Sequence, residues 1–152
     1  MTNLAKARWL ALLVPAALLG GAYISQYGFG LFPCEMCWWQ RYPHFAAIGL
    51  ALISFGIKNA RWPVALAVLA VLASGLIGAL HAGVEYDWWE GFTRCTSMVE
   101  KGGDPLSAIL AAPVTRCDEV QWSLFGISLA GFNFLISTAG ALGTFALLRR
   151  QP

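Results

Sequence analysis

The nonapeptide PCEMCWWQR, residues 33–41, sets two thiols three positions apart and an arginine four positions beyond the second. A CxxC pair suits thiol–disulfide exchange: one sulfur can attack while its neighbour waits to resolve the product, and the motif often lowers a thiol pKa. If the segment is helical, Cys37 and Arg41 stand at i and i+4 on one face. A permanent cation there favours the Cys37 thiolate. Glu35, between the two cysteines, opposes ionisation unless it points to water. Arg41 also has a plainer reading, as an anchor at a membrane interface.

The chain has four cysteines, and the remaining two, Cys95 and Cys117, lie far apart in sequence. A zinc site of four cysteines normally uses two closely spaced pairs, so no metal is expected. Were each pair a structural staple, a closed loop of about 4 residues would yield roughly 2 kcal/mol and one of about 23 residues roughly 3.4 kcal/mol. Cys34 with Cys37 would be the weaker staple, which leaves redox exchange as the stronger reason for that pair.

The elements that must position these residues are membrane helices. Only 12% of the 152 residues are charged and 58% are hydrophobic, against roughly 25% charged in an ordinary soluble domain. Residues 9–34, 42–57, 62–84 and 120–148 contain no Asp, Glu, Lys or Arg. About 20 apolar residues cross a bilayer. The expected fold is an all-α four-helix transmembrane bundle, one domain over 1–152, with spans at about 9–27, 42–57, 62–82 and 124–148. The second span is the shortest, and it crosses if Trp38, Trp39 and Arg41 sit at the interface. The first stretch exceeds the h-region of about 7–15 residues of a signal peptide and is read as retained. Small residues at 74–78 and 139–143 would let helices approach closely.

Charge orients the bundle. Lys6, Arg8, Lys58, Arg61, Arg149 and Arg150 fall on one side with no acid among them, whereas all eight acids fall on the other. The positive-inside rule then puts both termini in the cytoplasm and the loops of about 28–41 and 83–123 outside. All seven tryptophans lie near a predicted boundary, as aromatic belts do. All four cysteines share the outer, oxidising side, where disulfides persist. Asp104, Pro105, Leu106, Ile109 and Leu110 before Pro113 predict a short helix on the membrane surface within the second loop. That loop is net negative, which argues against nucleic acid as a partner.

These residues resemble the DsbB family of disulfide bond formation proteins. The resemblance runs through PCEMCWWQR, HAGVE at 81–85, Cys95, CDEVQW at 117–122 and GISLAGFN at 126–133. It implies a multi-pass oxidoreductase of the bacterial inner membrane, its redox loops in the periplasm, that reoxidises a DsbA-like thioredoxin-fold partner and passes two electrons to a membrane quinone, ubiquinone being the first choice. By the same resemblance Cys95 and Cys117 receive the partner's thiols, Cys117 passes the exchange to Cys34, and Cys37 delivers electrons beside the quinone. Arg41 would polarise a quinone carbonyl, and His81 could donate to the quinone. His44 is assigned to structure, and Gln40, Glu85 and Trp122 lie near the same surface without a role. Two other readings compete: a quinone reductase resembling vitamin K epoxide reductase, and a disulfide-stapled membrane scaffold.

Overall fold

The computed structural model describes residues 2–59, 61–91, 96–97 and 114–150. Four long helices dominate: α1 (Asn3–Phe29), α2 (Glu35–Gly56), α3 (Arg61–Glu85) and α4 (Leu129–Arg149). Two short antiparallel ladders accompany them. Strands β1 (Thr96–Ser97) and β2 (Val114–Thr115) pair Thr96 with Thr115, and β3 (Ser123–Leu124) and β4 (Ile127–Ser128) pair Ser123 with Ser128. The surface helix expected at 104–113 and the side chain of Cys95 lie outside the described residues.

Local chemistry sets the helix ends. Thr2 caps α1 by accepting the Ala5 N–H at 3.1 Å, and Gly30 ends that helix at φ 68°, a left-handed position that suits glycine. Cys34 caps α2 with its sulfur, which accepts the Cys37 N–H at 3.3 Å. Ser128 caps α4 by accepting the Gly131 N–H at 3.1 Å. Between β3 and β4 the two-residue turn Phe125–Gly126 has positive φ at both positions, 53° and 77°, the signature of a tight type I′ hairpin.

The helices start or end away from the uncharged stretches at two places that matter for the site. The second uncharged stretch begins at 42, yet α2 begins at Glu35, because the Cys34 sulfur satisfies its first turn. Residues 35–41 of PCEMCWWQR are therefore two helical turns rather than loop. The fourth stretch begins at 120, but a hairpin occupies its first residues and α4 starts at Leu129.

Packing centres on α3, which lies against both α2 and α4, while α1 closes against α2 and α4. Ala7, Ala11, Ala47, Ala51, Val64, Ala67, Val71 and Ala141 form the apolar core at the end of the bundle that holds both termini. Small residues bring α3 onto α4: a Cβ at Gly78 would sit 2.9 Å from the Ala130 oxygen, and one at Gly75 would sit 3.1 Å from the Ser137 Cβ. The outer faces expose Leu13, Ile24, Leu52, Leu69, Leu76 and Leu142, a surface suited to lipid rather than water. Among the described residues three helices, α1, α3 and α4, are long and apolar enough to cross a membrane. In α2, which spans 22 residues, Glu35, Gln40, Arg41 and His44 lower the apolar character of the first half.

Candidate active site: a thiol cluster beside a buried guanidinium

The capped start of α2 gathers the sulfur chemistry. The Cys34 and Cys37 sulfurs are 3.0 Å apart, and Cys34 is only 1% exposed. Cys117, arriving from the second loop just after β2, packs with Cys34, Met36 and Val84 in one buried cluster, with Cys37 against it. The Cys34 sulfur, the Cys117 sulfur and a His81 ring nitrogen all lie within 4.8 Å of one another. The start of α2 and the segment after β2 thus bring three of the four predicted cysteines together.

Within the pair the two thiols are unequal. Hydrogen bonds to Cys117 and Cys37, with burial, push the Cys34 thiol up. The hydrogen bond from Cys34 holds the Cys37 thiol below the ordinary thiol range, against the effect of burial. In the reduced pair Cys37 is thus the more readily ionised of the two thiols. Glu35, half-buried in the first turn, occupies a position where a carboxylate suits the helix dipole.

Arg41 lies one turn inside the thiols and is 6% exposed. Its guanidinium donates to Gln26 Oε1 at 2.7 Å and to the Ala22 carbonyl at 3.4 Å, and it stacks on the Tyr23 and Trp38 rings at 4.8 and 4.9 Å. Among the described residues no carboxylate is within ion-pairing distance. Buried charges are ordinarily paired, so this cation is held by neutral acceptors and aromatic faces and keeps its charge for something else.

His81 reaches the sulfurs from α3. Its Nε2 is 3.5 Å from the Cys34 sulfur and 3.8 Å from Glu85 Oε1, and its Nδ1 accepts from Gln40 Nε2 at 2.9 Å. Gln40 also donates to the Met36 carbonyl at 3.2 Å and accepts from Asn133 Nδ2 at 2.7 Å. At the rim Arg116 donates to Asp118, which holds that exposed carboxyl below its usual range, and pairs with Glu119 at 3.5 Å.

These groups open onto one cavity of about 320 Å³, at the small end of the roughly 300–1,000 Å³ of ligand pockets. Cys34, Cys37, Arg41, His44, His81 and Glu85 supply its polar wall, and Phe32, Trp122, Phe132 and Ile136 are among its apolar lining. The chamber thus carries a sulfur pair at one point and, one turn away, a cation held by neutral acceptors and aromatic faces.

A profile of one family, disulfide bond formation protein DsbB, matches residues 5–147. The chain belongs to the DsbB family. Among its relatives, a disulfide bond formation protein B from Verminephrobacter eiseniae is 35% identical, over 93% of this chain and 83% of the relative. One from Paracidovorax citrulli is 31% identical over 95% and 88%, and one from Aromatoleum aromaticum 29% over 91% and 88%. No solved structure matches. As a DsbB protein with three membrane-compatible helices, the chain is a membrane oxidoreductase of disulfide bond formation.

The predicted site residues divide cleanly. Cys34, Cys37, Cys117, Arg41 and His81 converge on the cavity wall or its rim, and Cys95 lies outside the described residues. Sequence reasoning missed Gln26, Ser74 and Asn133 and placed Gln40 and Glu85 near the site without a role. A signal was present in four of them: Gln26, Gln40, Ser74 and Asn133 are amides or a hydroxyl inside otherwise apolar helices, where a polar group needs a partner.

Proposed function

We propose that this chain is a quinone-linked oxidase of periplasmic dithiols, a four-span inner-membrane protein with both termini in the cytoplasm and its cysteines outside. The observation that carries the reading is the shared cavity, where the Cys34–Cys37 pair and a buried guanidinium with no carboxylate partner among the described residues line one apolar chamber. A membrane quinone, with ubiquinone as the expected species, supplies a two-electron, two-proton acceptor.

The chain's own part is a relay of sulfur bonds. A thiolate of a DsbA-like partner attacks Cys95 in a Cys95–Cys117 disulfide, forming a mixed disulfide and releasing the Cys117 thiolate. The β1–β2 register supports that pairing, since Thr96 lies opposite Thr115, one residue from Cys95 and two from Cys117. Cys117 attacks Cys34, its neighbour in the buried cluster, and Cys37 leaves as a thiolate. The partner's second thiol releases the oxidised partner from Cys95, and Cys95 retakes Cys117, freeing Cys34. Cys34 and Cys37 then rebuild their disulfide as two electrons leave the pair, and the two protons of the partner's dithiol balance the reduced acceptor. Arg41 stabilises negative charge first on Cys37 and then on the accepting oxygen. His81 Nε2–H faces the Cys34 sulfur and steadies it as a leaving group.

Energetics require such an acceptor. DsbA is a strong oxidant, at about −120 mV on the known scale of thiol couples, and each 30 mV is about 1.4 kcal/mol for two electrons. An ordinary disulfide does not oxidise it. The test is oxidation of a reduced thioredoxin-fold donor by the purified chain with short-chain ubiquinone. Turnover that depends on quinone and vanishes in Cys37→Ser is expected; donor oxidation indifferent to quinone, or retained in Cys37→Ser, would overturn the proposal.

A further inference from the structure

Glu85 stands at the thiol end of α3, just past the uncharged stretch 62–84, and its side chain is only 7% exposed. It lines the cavity together with Cys34, Cys37 and His81. Cys117 and Ser128 are its other neighbours, and its charge is felt at Cys37. Arg116 and Glu119 line the same cavity, but Arg116 pairs with Asp118 and Glu119. Arg41 is held by Gln26 and the Ala22 carbonyl. Among the described residues no Lys or Arg is within ion-pairing distance of Glu85.

His81 lies 3.8 Å away, yet it supplies no positive charge. Gln40 Nε2 donates to the Met36 carbonyl at 3.2 Å, and Gln40 Oε1 receives Asn133 Nδ2 at 2.7 Å, an amide nitrogen fixed in turn by the Ser74 carbonyl at 3.1 Å. Two backbone carbonyls thus orient both amides, and Gln40 Nε2 must donate to His81 Nδ1 at 2.9 Å. A hydrogen on that ring nitrogen would collide with the amide hydrogen. The ring is therefore neutral, with its hydrogen on Nε2, between the Cys34 sulfur at 3.5 Å and Glu85 Oε1 at 3.8 Å.

A carboxylate buried without an opposite charge is costly, and such a group tends to take a proton instead. Glu85 Oε2 is buried with no hydrogen-bond partner. Burial pushes the carboxyl up to about 7, with the Ser128 hydroxyl working the other way. Near neutral pH the charge on a neighbouring sulfur then decides whether Glu85 is protonated.

We propose that Glu85 is the proton store of the sulfur relay: it takes one proton from water as negative charge arrives on Cys117 and then Cys37, and releases it when Cys34 and Cys37 rebuild their disulfide. This rests on the relay and adds a residue to it. The reduced pair, with Cys34 as thiol and Cys37 as thiolate, carries one proton, whereas a two-electron, two-proton acceptor needs two. Glu85 holds the other. As the S–S bond forms and two electrons leave, Cys34 and Glu85 each give up a proton, and the negative charge lost at Cys37 reappears on the Glu85 carboxylate. The buried cluster keeps one negative charge throughout and never carries two.

The test uses the purified full chain, reduced with dithiothreitol, with neither donor protein nor quinone added. In the infrared difference between reduced and oxidised protein at neutral pH, the carbonyl band of a protonated carboxyl should grow on reduction. It should move with isotopically labelled glutamate and be missing in Glu85→Gln. In the same variant the pH midpoint for alkylation of Cys37, read by peptide mass spectrometry, should fall by about one unit, because the carboxylate that opposes the thiolate is gone. No new band on reduction, a band that persists in Glu85→Gln, or an unmoved Cys37 midpoint would overturn the inference. The quinone reading would stand in each case, since it fails only by wild-type turnover that ignores quinone or survives Cys37→Ser. Should Glu85→Gln not fold, the labelled band decides in Glu35→Gln, which lacks the glutamate between the two cysteines: persistence there supports Glu85, and loss removes it.

Discussion

Replacing Arg41 with methionine separates a residue kept for stability from one kept for chemistry. The methionine retains an apolar stem of similar length, so it removes the charge with little change in packing. Gln26, itself buried, would lose its donor at 2.7 Å, a cost of about 1–3 kcal/mol. Against that stands relief of the desolvation cost of a cation with no carboxylate beside it, several kcal/mol for a buried charge. The second effect equals or exceeds the first, so the thermal midpoint should hold or rise. Function should move the other way. Removing one preorganised donor from a site of developing negative charge typically costs about 2.7–4 kcal/mol, or 10²–10³ in rate. Quinone-dependent donor oxidation, followed by loss of quinone absorbance, should therefore fall by that factor in a protein no less stable. A midpoint lower by more than about 4 °C, worth roughly 1–2 kcal/mol for a chain of this size, with turnover within about threefold of wild type, would refute the reasoning and return Arg41 to the role of an anchor.

The inequality of the two thiols gives a pH signature. With its folded value below that of a free thiol, Cys37 stays ionised to lower pH, so its alkylation by iodoacetamide in the reduced protein should show a midpoint below about 8.5; peptide mass spectrometry reads Cys37 and Cys34 separately, and a Cys37 midpoint at or above that value would contradict the assignment of donor and acceptor. At the α3–α4 contact, Gly78→Ala places a Cβ 2.9 Å from the Ala130 oxygen and 3.1 Å from Phe134 N, backbone atoms that cannot step aside. It should cost about 1–3 kcal/mol, seen as a midpoint lower by roughly 2–10 °C, whereas Gly20→Ala, with nothing within 4 Å, should not lower it.

The helices were legible in the sequence because lipid imposes a simple rule: long stretches without charge. The alignment of Cys37 with Arg41 was legible too, conditional on a helix that α2 supplies. Hydropathy reported poorly on the ends. It marks where apolar residues begin, while α2 begins earlier, at a sulfur cap that has no hydropathic signature. It also ran through residues 120–128, where an extended hairpin and a helix would be equally apolar. The polar network was out of reach for a different reason. Gln40 and Asn133 meet across 93 positions of chain, and no periodicity links residues on separate helices. The meeting of Cys117 with Cys34 belongs to the same class, since the spacing of cysteines says which could pair and only packing says which are neighbours.

One phenol rivets the outer rim of the bundle. The Tyr86 hydroxyl gives its hydrogen to the Gly126 carbonyl and receives that of Ser128 N, both at 2.8 Å, while the Trp89 indole reaches back to the Leu80 carbonyl at 3.0 Å. These are the points where the chain leaves α3 and enters α4. A mechanical load on the segment that joins them, such as the tug of a covalently attached protein, is borne at the rim by a tyrosine and a tryptophan.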